Sequence, residues 1–267
     1  MEFKSSTHRR FEGNIVTAKP EPRTYPETYY AGAYWGPRRE TAEECAMRTA
    51  NFLDLLASCD PSLAHWYKPV RSLKDVRKHP LMPPEVPTLA ELFRRGVNRE
   101  RGGPVIEQLG YSLWFGNGGT GGDSVDLRIT CGDYSGANPN SCVMPLPRKG
   151  PDVARLLTVP VLTAVLRSMI HSWEPDWAFA TSDAYEGTYP ESDTSSFSLG
   201  WITYLSREQG AVPPLPAPVR IEPVEDRGTL IILTPERFTV AAPQHLALAR
   251  DVRGLLASAG LLRPAAP

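Results

Sequence analysis

Two runs of alternating apolar and polar residues, separated by a glycine-rich stretch, lie in the middle of this chain. GYSLWFG at residues 110–116 and DSVDLRITCG at residues 123–132 have the period of two that is typical of half-buried strands. GNGGTGG at residues 116–122 is a flexible turn, so the two strands form a hairpin and are antiparallel neighbours. NSCVMPLP at residues 140–147 predicts a third strand. A chain with this group of strands must build an antiparallel sheet.

A strand and a helix precede this group. TYYAGAYWG at residues 28–36 predicts the strand. Thr41 and Glu44 then predict a capping box, in which each side chain satisfies the other residue's backbone N–H. The helix ends before Asp60 and Pro61, and its apolar positions recur at helical spacing: Cys45, Thr49, Phe52, Leu53 and Leu56.

A second amphipathic helix opens the other half of the chain at residues 158–160 and ends at residues 174–175. Its apolar stripe consists of Leu162, Val165, Leu166, Met169, Ile170 and Trp173. Four strands follow, at residues 176–182, 197–206, 218–224 and 228–234, and then a final helix from Pro243 to Ala259. The continuous apolar run of the last strand, GTLIILT, indicates a central strand that is covered on both faces.

This order of elements predicts a single α+β domain, with helices packed on a largely antiparallel sheet. Apolar residues make up 41% of the chain and charged residues 22%, so a sizeable core is available. No linker divides the chain, and we expect the domain to span residues 29–262. Residues 1–28 predict a loosely ordered N-terminal segment, because they mix charge, serine and proline without periodicity, and residues 263–267 form a tail.

Charge and hydropathy exclude two classes of partner. The formal net charge is only -1, whereas a general nucleic-acid binder needs a basic surface. The chain starts without an apolar signal segment and contains no apolar run of bilayer length. We therefore expect a cytoplasmic protein that contacts neither nucleic acid directly nor a membrane.

Motifs for cofactors and catalysis are also missing from the sequence. GNGGTG at residues 116–121 has the GxGxxG spacing, but a strand follows where a dinucleotide site needs a helix. No GxSxG elbow is present to hold a nucleophile. The histidines are too scattered to have the spacing of a metal site on one helix face: His8, His65, His79, His171 and His245. We expect no cofactor, no metal and no catalytic residue.

The six tryptophans divide into two predicted groups. Trp114 and Trp201 lie within alternating strands, and we expect both to pack between sheet and helix. The other four lie at element ends, where an indole can be half exposed and can anchor a partner: Trp35, Trp66, Trp173 and Trp177.

From Ser168 to Ser206 the chain contains no lysine or arginine, although it carries six carboxylates: Glu174, Asp176, Asp183, Glu186, Glu191 and Asp193. The same window contains six tryptophan and tyrosine residues: Trp173, Trp177, Tyr185, Tyr189, Trp201 and Tyr204. Acid and aromatic surface together are typical of a face that docks a basic partner. The alternative is that the acids are solvated loop residues and the aromatics are core.

Several segments together resemble the immunity protein 52 family of bacterial polymorphic toxin systems. They are ETAEECAMRTANFLDLLASCDPSLAHWY, LGYSLWFGNG, PNSCVMPLP, SWEPDWAFATS, LGWITYLS and GTLIILTPERF, and the resemblance covers residues 29–262. It implies a cytoplasmic, non-enzymatic antitoxin that binds and blocks a cognate effector, as in interbacterial competition through type VI secretion. The associated toxin of this family is commonly a nuclease with a restriction-endonuclease-like fold.

A nuclease toxin must carry basic surface to hold DNA phosphates, so an acidic and aromatic surface on the inhibitor would compete for it. WEPDW and GWITYLS read as helix end and strand, which leaves the segment between residues 183 and 193 as the exposed part of the window. The candidate toxin-binding residues are Asp183, Tyr185, Glu186, Tyr189, Glu191 and Asp193.

A second hypothesis stays open beside this one. The carboxylates of residues 183–193, with His171, could surround an aromatic pocket in an enzyme or a small-molecule-binding protein. Carboxylates that point away from one another, with no cleft among them, would argue against it.

Overall fold

The computed structural model describes residues 27–68, 78–101, 103–119, 121–189 and 199–262. Over these residues the chain is an α+β domain with one antiparallel sheet, as the alternating strands predicted. The strands are β1 (Tyr29–Trp35), β2 (Leu109–Gly116), β3 (Asp126–Asp133), β4 (Asn140–Pro145), β5 (Trp177–Ser182), β6 (Ile202–Ser206), β7 (Arg220–Val224) and β8 (Gly228–Ile232). Their order across the 8-stranded sheet is β2-β3-β4-β1-β5-β6-β8-β7.

The helices are α1 (Ala42–Ala57), α2 (Val86–Arg95), α3 (Val153–Leu156), α4 (Val159–Trp173), α5 (Asp183–Glu186) and α6 (Pro243–Ser258). α1 contacts both α2 and α4, and these three helices pack on β1, β2, β3, β5 and β6. We call the side of the sheet that they cover the helix face. The predicted N-terminal segment and tail lie almost wholly outside the described residues and stay predictions.

α1 begins where the capping box predicted. The Glu44 N–H donates to Thr41 Oγ1 at 3.2 Å, and the Thr41 N–H donates to Glu44 Oε2 at 2.7 Å. The Thr41 N–H and hydroxyl both donate to the Glu44 carboxylate, which favours its charged form and lowers the pKa of this carboxyl. All five predicted apolar positions of α1 are buried: Cys45, Thr49, Phe52, Leu53 and Leu56.

β1 lies at the centre of the sheet, and its small residues let α4 approach closely. Ala31 pairs with Ala180 of β5, and Ala33 pairs with Ala178, on the helix face. The larger side chains come from α4, whose predicted apolar stripe is entirely buried. Trp173 at the end of α4 stacks on Trp35 at 5.1 Å between ring centroids. A large residue at any of these alanine positions would push the helix away from the sheet.

The strand pairing places one row of residues across the opposite side of the sheet: Trp114, Arg128, Val143, Gly32, Phe179, Thr203, Ile231 and Ile221. Phe179, Thr203 and Ile231 are buried, so this side is covered over β5, β6 and β8. Trp114 and Arg128 are exposed and Val143 is half-buried. We call the part formed by β2, β3, β4 and β1 the open face.

One detail of the strand assignment differs from expectation. β8 is buried on both faces at Leu230, Ile231 and Ile232, as its apolar run predicted. It lies next to the edge strand β7, however, and the central position belongs to β1. The alternating pattern of β1 gives no hint of this, because its alanines bring helix and sheet together without contributing bulk.

Candidate functional site

The exposed tryptophan is one of the two that we expected to pack between sheet and helix. Trp114 is 37% exposed on the open face, where it stands at the edge of the sheet. The four tryptophans predicted to be half exposed are instead 2%, 0%, 0% and 7% exposed, in the order Trp35, Trp66, Trp173 and Trp177. That prediction was wrong because these element ends are covered by neighbouring elements, as Trp35 and Trp173 cover each other. Trp201 is buried as expected.

The acidic window is divided by β5 into two groups of carboxylates. Glu174 and Asp176 lie just before this strand, whereas Asp183 and Glu186 lie just after it, on α5. A strand of six residues spans about 20 Å, so the two groups are far apart. Residues 191 and 193, the other two acids, lie outside the described residues.

The group before β5 belongs to a set of ion pairs that we call the arginine network, formed by Arg38, Glu40, Arg48, Glu174 and Arg227. Glu40 is buried, with Oε1 2.7 Å from Arg48 Nε and 3.1 Å from Arg38 Nε. Glu174 bridges Arg48 at 3.1 Å and Arg227 at 3.2 Å. This network joins α1, the end of α4 and the turn between β7 and β8.

Burial alone would raise the pKa of the Glu174 carboxyl, but its hydrogen bonds and ion pairs with Arg48 and Arg227 outweigh burial and lower it. Arg38 and Arg48 also donate to the last carbonyls of α4, at Trp173 and Ser172, both at 2.9 Å. Cations are favourable at a helix C-terminus. The arginine network therefore serves the fold.

The group after β5 lies at the rim of a cavity of about 470 Å³ on the open face. Ser182 is the N-cap of α5, and its hydroxyl accepts a hydrogen bond from the Tyr185 N–H. The Thr28 hydroxyl donates to Asp183, and the Tyr30 hydroxyl donates to Glu186 Oε1 at 2.5 Å. These bonds tie both carboxylates to the start of β1. We call this space the acidic cavity and define it by Tyr30, Tyr34, Asp126, Asp183 and Glu186, which all line it.

Aromatic rings form one wall of the acidic cavity. The Tyr34 ring lies over Gly32, where a Cβ atom would come within 2.7 Å of the Tyr34 hydroxyl. The same ring stacks on Phe179 and Trp177, with centroids 5.3 Å and 5.8 Å away. Burial raises the pKa of Tyr34 to about 12 and also raises the pKa of Tyr30, so both hydroxyls stay protonated at neutral pH.

The opposite wall comes from the hairpin between β2 and β3. Gly121 and Gly122 line it with backbone, and Asp126 contributes a carboxyl at the start of β3. Burial raises the pKa of this carboxyl, although the nearby Arg128 opposes the shift. Arg148 also lines the cavity, so its charged lining consists of three acidic residues and one basic residue.

The two candidate tyrosines on and after α5 face inward. Tyr185 is 4% exposed and packs on Phe238 at 4.9 Å between ring centroids. The Tyr189 hydroxyl donates to the Leu199 carbonyl at 3.1 Å and lies 3.0 Å from the Tyr185 hydroxyl, and the Arg253 guanidinium lies over its ring. Of the predicted toxin-binding residues within the described ranges, Asp183 is exposed and Glu186 half-buried. Their role as toxin contacts stays a prediction.

His171, which the second hypothesis placed with these carboxylates, lies elsewhere. It is on α4, and its Nε2 is 3.5 Å from Glu225 in the turn between β7 and β8. Asp183 and Glu186 do share a cleft, but its other polar side chains are tyrosine, threonine and serine hydroxyls, Asp126 and Arg148. Within the described ranges, no three or more histidine, cysteine, aspartate or glutamate side chains are grouped to hold a metal ion.

Three residues of the acidic cavity were missed by the sequence reasoning: Tyr30, Tyr34 and Asp126. Tyr30 and Tyr34 alternate with alanines in TYYAGAYWG, and that alternation is the signal that both rings share one side of β1. No local pattern places Asp126 beside them, because the strand pairing that brings β3 and β4 next to β1 is a long-range contact.

No helix of the described chain is both long and apolar enough to cross a membrane.

Comparisons with known proteins agree with this architecture. The family model described as Immunity protein 52 matches residues 27–265. No curated protein matches the chain. Among solved structures, the chain is similar to the Pseudomonas aeruginosa T6SS protein PA0821 with a TM-score of 0.50 and 12% sequence identity, over 86% of this chain and 73% of that one. At this identity the likeness shows the fold alone.

Proposed function

Because this chain belongs to the immunity protein 52 family, we propose that it is an antitoxin that neutralises a cognate bacterial toxin by binding it directly. One structural observation supports direct binding. The open face leaves an aromatic edge and the acidic cavity accessible on one side of the sheet, while the helices cover the other side. A sheet face of this kind provides area, hydrogen-bonding groups and charge for a protein partner.

We propose further that the toxin is a nuclease. A nuclease must hold the DNA backbone with lysine and arginine, and its basic surface is complementary to the acidic lining of the cavity. An inhibitor seated there would exclude DNA by occupying the same surface. We propose that the toxin is delivered by type VI secretion, because the Pseudomonas aeruginosa protein of similar fold is described as a T6SS protein.

Co-expression with the neighbouring toxin gene tests this function. We expect cells that produce the toxin alone to lose viability, with DNA degradation if the toxin is a nuclease, and cells that also produce this chain to survive. Purified chain and a catalytically inactive toxin should then co-elute in size-exclusion chromatography. Cell death in the presence of abundant, folded chain would contradict the antitoxin role.

The nuclease assignment has its own readout. Purified toxin should degrade plasmid DNA, and a stoichiometric amount of this chain should stop the reaction. A toxin that kills without degrading nucleic acid, while still being neutralised, would overturn the nuclease assignment and leave the antitoxin role standing.

A further inference from the structure

The acidic cavity has the chemistry of a receptor for a single cationic side chain. We propose that the toxin docks on the open face and inserts one lysine or arginine side chain into this cavity. The inference rests on the antitoxin function proposed above and names the surface and the kind of contact through which it acts.

Charge is the first argument. Asp126, Asp183 and Glu186 line the cavity against Arg148, so an entering ammonium or guanidinium group meets a net negative lining. Asp183 and Glu186 each accept a hydroxyl hydrogen bond, from Thr28 and Tyr30 respectively, which fixes their positions before a partner arrives. A carboxylate has two oxygens with several acceptor sites, so a carboxylate that holds one hydroxyl can still accept a further donor. A preorganised acceptor pair loses less entropy when a cation binds.

The shape and the aromatic lining are the second argument. The cavity of about 470 Å³ is large enough for one long side chain and its ordered water. Tyr34 lies flat on Gly32, and Tyr30 stands beside it with its ring 5.8 Å from Phe179. A lysine or arginine side chain carries an apolar stem that packs on such rings and a charged head that is attracted to their faces and to carboxylates. A purely apolar guest would pack on the rings without the attraction to the carboxylates, and an anionic guest would be repelled by the carboxylates.

The surroundings of the cavity are the third argument. Val143 lines it and lies in one row with Arg128 and Trp114 across the open face. Neighbouring strands are about 4.8 Å apart, so Trp114 stands about 10 Å from Val143, within the footprint of a standard protein interface. Tryptophan and arginine are the residue types enriched among interface anchors. The cavity therefore opens onto a surface suited to a protein rather than to an isolated small molecule.

The decisive variant removes the charge and keeps the hydrogen bonds. In the double variant Asp183→Asn/Glu186→Gln, each side-chain amide oxygen still accepts the hydroxyl of Thr28 or Tyr30, so folding should be unaffected. We expect its Kd for the inactive toxin to rise at least about tenfold, with a slower association rate and a weaker salt dependence. The matched control is Asp54→Asn/Glu43→Gln on α1, at exposed positions on the helix side, which should bind within about twofold of the wild type.

A second variant fills the cavity from within. Val143→Lys places a cation of this chain's own where the toxin side chain would enter, and we expect it to abolish protection in the co-expression assay and to raise Kd about a hundredfold. Met47→Lys is the control, because it adds the same charge at a position of α1 that is 53% exposed. Thermal unfolding of each variant shows whether it is folded. If Val143→Lys is unfolded, the toxin affinity of the double variant Asp183→Asn/Glu186→Gln tests the proposal.

The occupant is identified by a photo-crosslinker, benzoylphenylalanine, in place of Val143. We expect it to capture a toxin peptide that contains lysine or arginine. Capture of residues 1–26 of this chain, or of a second copy, would overturn the proposal.

The outcomes also separate this inference from the proposed function. If the wild-type chain neither binds nor neutralises the toxin, the antitoxin function fails. If the wild type protects and both cavity variants bind the toxin as tightly as it does, the cavity proposal fails and the antitoxin function stands.

Discussion

β5 has carboxylates at both of its ends, and the two ends have different surroundings. Before the strand, Glu174 bridges Arg48 and Arg227 within the arginine network. After the strand, Asp183 and Glu186 accept hydroxyl hydrogen bonds at the rim of the acidic cavity. The first arrangement ties helices and turns together, and the second presents charge to an open surface. Composition alone assigns both to the same acidic window.

The difference shows that the role of a charged residue is decided by neighbours that are distant in the chain. Arg48 is 126 positions from Glu174, and Tyr30 is 156 positions from Glu186. A stretch without lysine or arginine is therefore not a stretch without positive partners. If the comparison is right, changes in the arginine network should cost stability and spare toxin binding, whereas changes at the acidic cavity should do the reverse.

The largest expected effect on stability is that of Glu40→Gln in the arginine network. The Glu40 side chain is 4% exposed and contacts both Arg38 and Arg48, so its neutral replacement leaves two guanidinium groups without their shared carboxylate. We expect a loss of about 2–3 kcal/mol in the free energy of unfolding, measured by urea denaturation. The folded fraction should bind the toxin with unchanged Kd.

Glu43→Gln is the matched control for that prediction. Glu43 pairs with Arg94, and both side chains are about half exposed. Solvent screens an exposed pair, so the loss should be below about 1 kcal/mol. Equal losses in the two variants would mean that the arginine network does not depend on burial, and a loss of toxin binding in Glu40→Gln would break the comparison between the two ends of β5.

Gly32→Ala should have the next largest effect and should act on the cavity end. The new methyl group would lie 2.7 Å from the Tyr34 hydroxyl and 2.9–3.0 Å from its ring, so the ring must leave its place on the strand. Because Tyr34 stacks on Phe179 and Trp177, we expect a loss of about 1–2 kcal/mol in stability, measured by thermal unfolding. The displaced ring should also reduce toxin binding.

Gly254→Ala provides the control. Gly254 lies within α6 and a Cβ atom there has no neighbour within 4 Å. Alanine favours the helix, so stability should rise by up to about 1 kcal/mol while toxin binding stays the same. If Gly32→Ala left both stability and binding unchanged, the Tyr34 ring would not be a fixed wall of the cavity.

Stability should depend on pH in opposite senses at the arginine network and at the acidic cavity. The pKa of Glu174 is lowered in the folded chain, so its contribution is present above its unfolded pKa and is lost as pH falls through the folded one. The pKa of Asp126 is raised by burial, so its ionisation destabilises the fold as pH rises through that pKa. The two carboxylates therefore make stability contributions of opposite sign at neutral pH.

Paired urea titrations at several pH values measure this difference. At pH 7, Glu174→Gln should lose, and Asp126→Asn should gain, less than about 1 kcal/mol, since both groups are partly exposed. The Asp126→Asn difference should shrink towards zero as pH falls through the unfolded pKa of aspartate, about 4. The Glu174→Gln difference should vanish only at lower pH, where the folded Glu174 carboxyl also takes up its proton. If both substitutions changed the free energy of unfolding in the same direction at pH 7, the arginine network and the acidic cavity would not differ in the way that we propose.

Local sequence patterns predicted most of the helices and strands, but they did not predict which of these elements lie side by side. The capping box of Thr41 and Glu44 and the stripe of α4 are local patterns, and both were confirmed. Trp114 is exposed and Trp173 is buried, which is the opposite of what the sequence indicated, because exposure depends on which element packs on a strand edge or a helix end. The acidic cavity needed β3, β4, β1 and α5 side by side, and only the strand order supplies that.

The smallest expected effect on stability tests how far the docking surface extends from the acidic cavity. Trp114 and Ile221 end the same cross-sheet row at opposite edges, and they are similarly exposed, at 37% and 42%. Threonine at either position keeps a strand-favouring residue, so each variant should unfold within about 0.5 kcal/mol of the wild type. Only Trp114→Thr should weaken toxin binding, by about tenfold, because Trp114 adjoins the open face while Ile221 lies beyond the covered strands β5, β6 and β8. Calorimetric titration of both variants with inactive toxin makes the comparison, and weaker binding by Ile221→Thr alone would move the docking surface to the edge formed by β7.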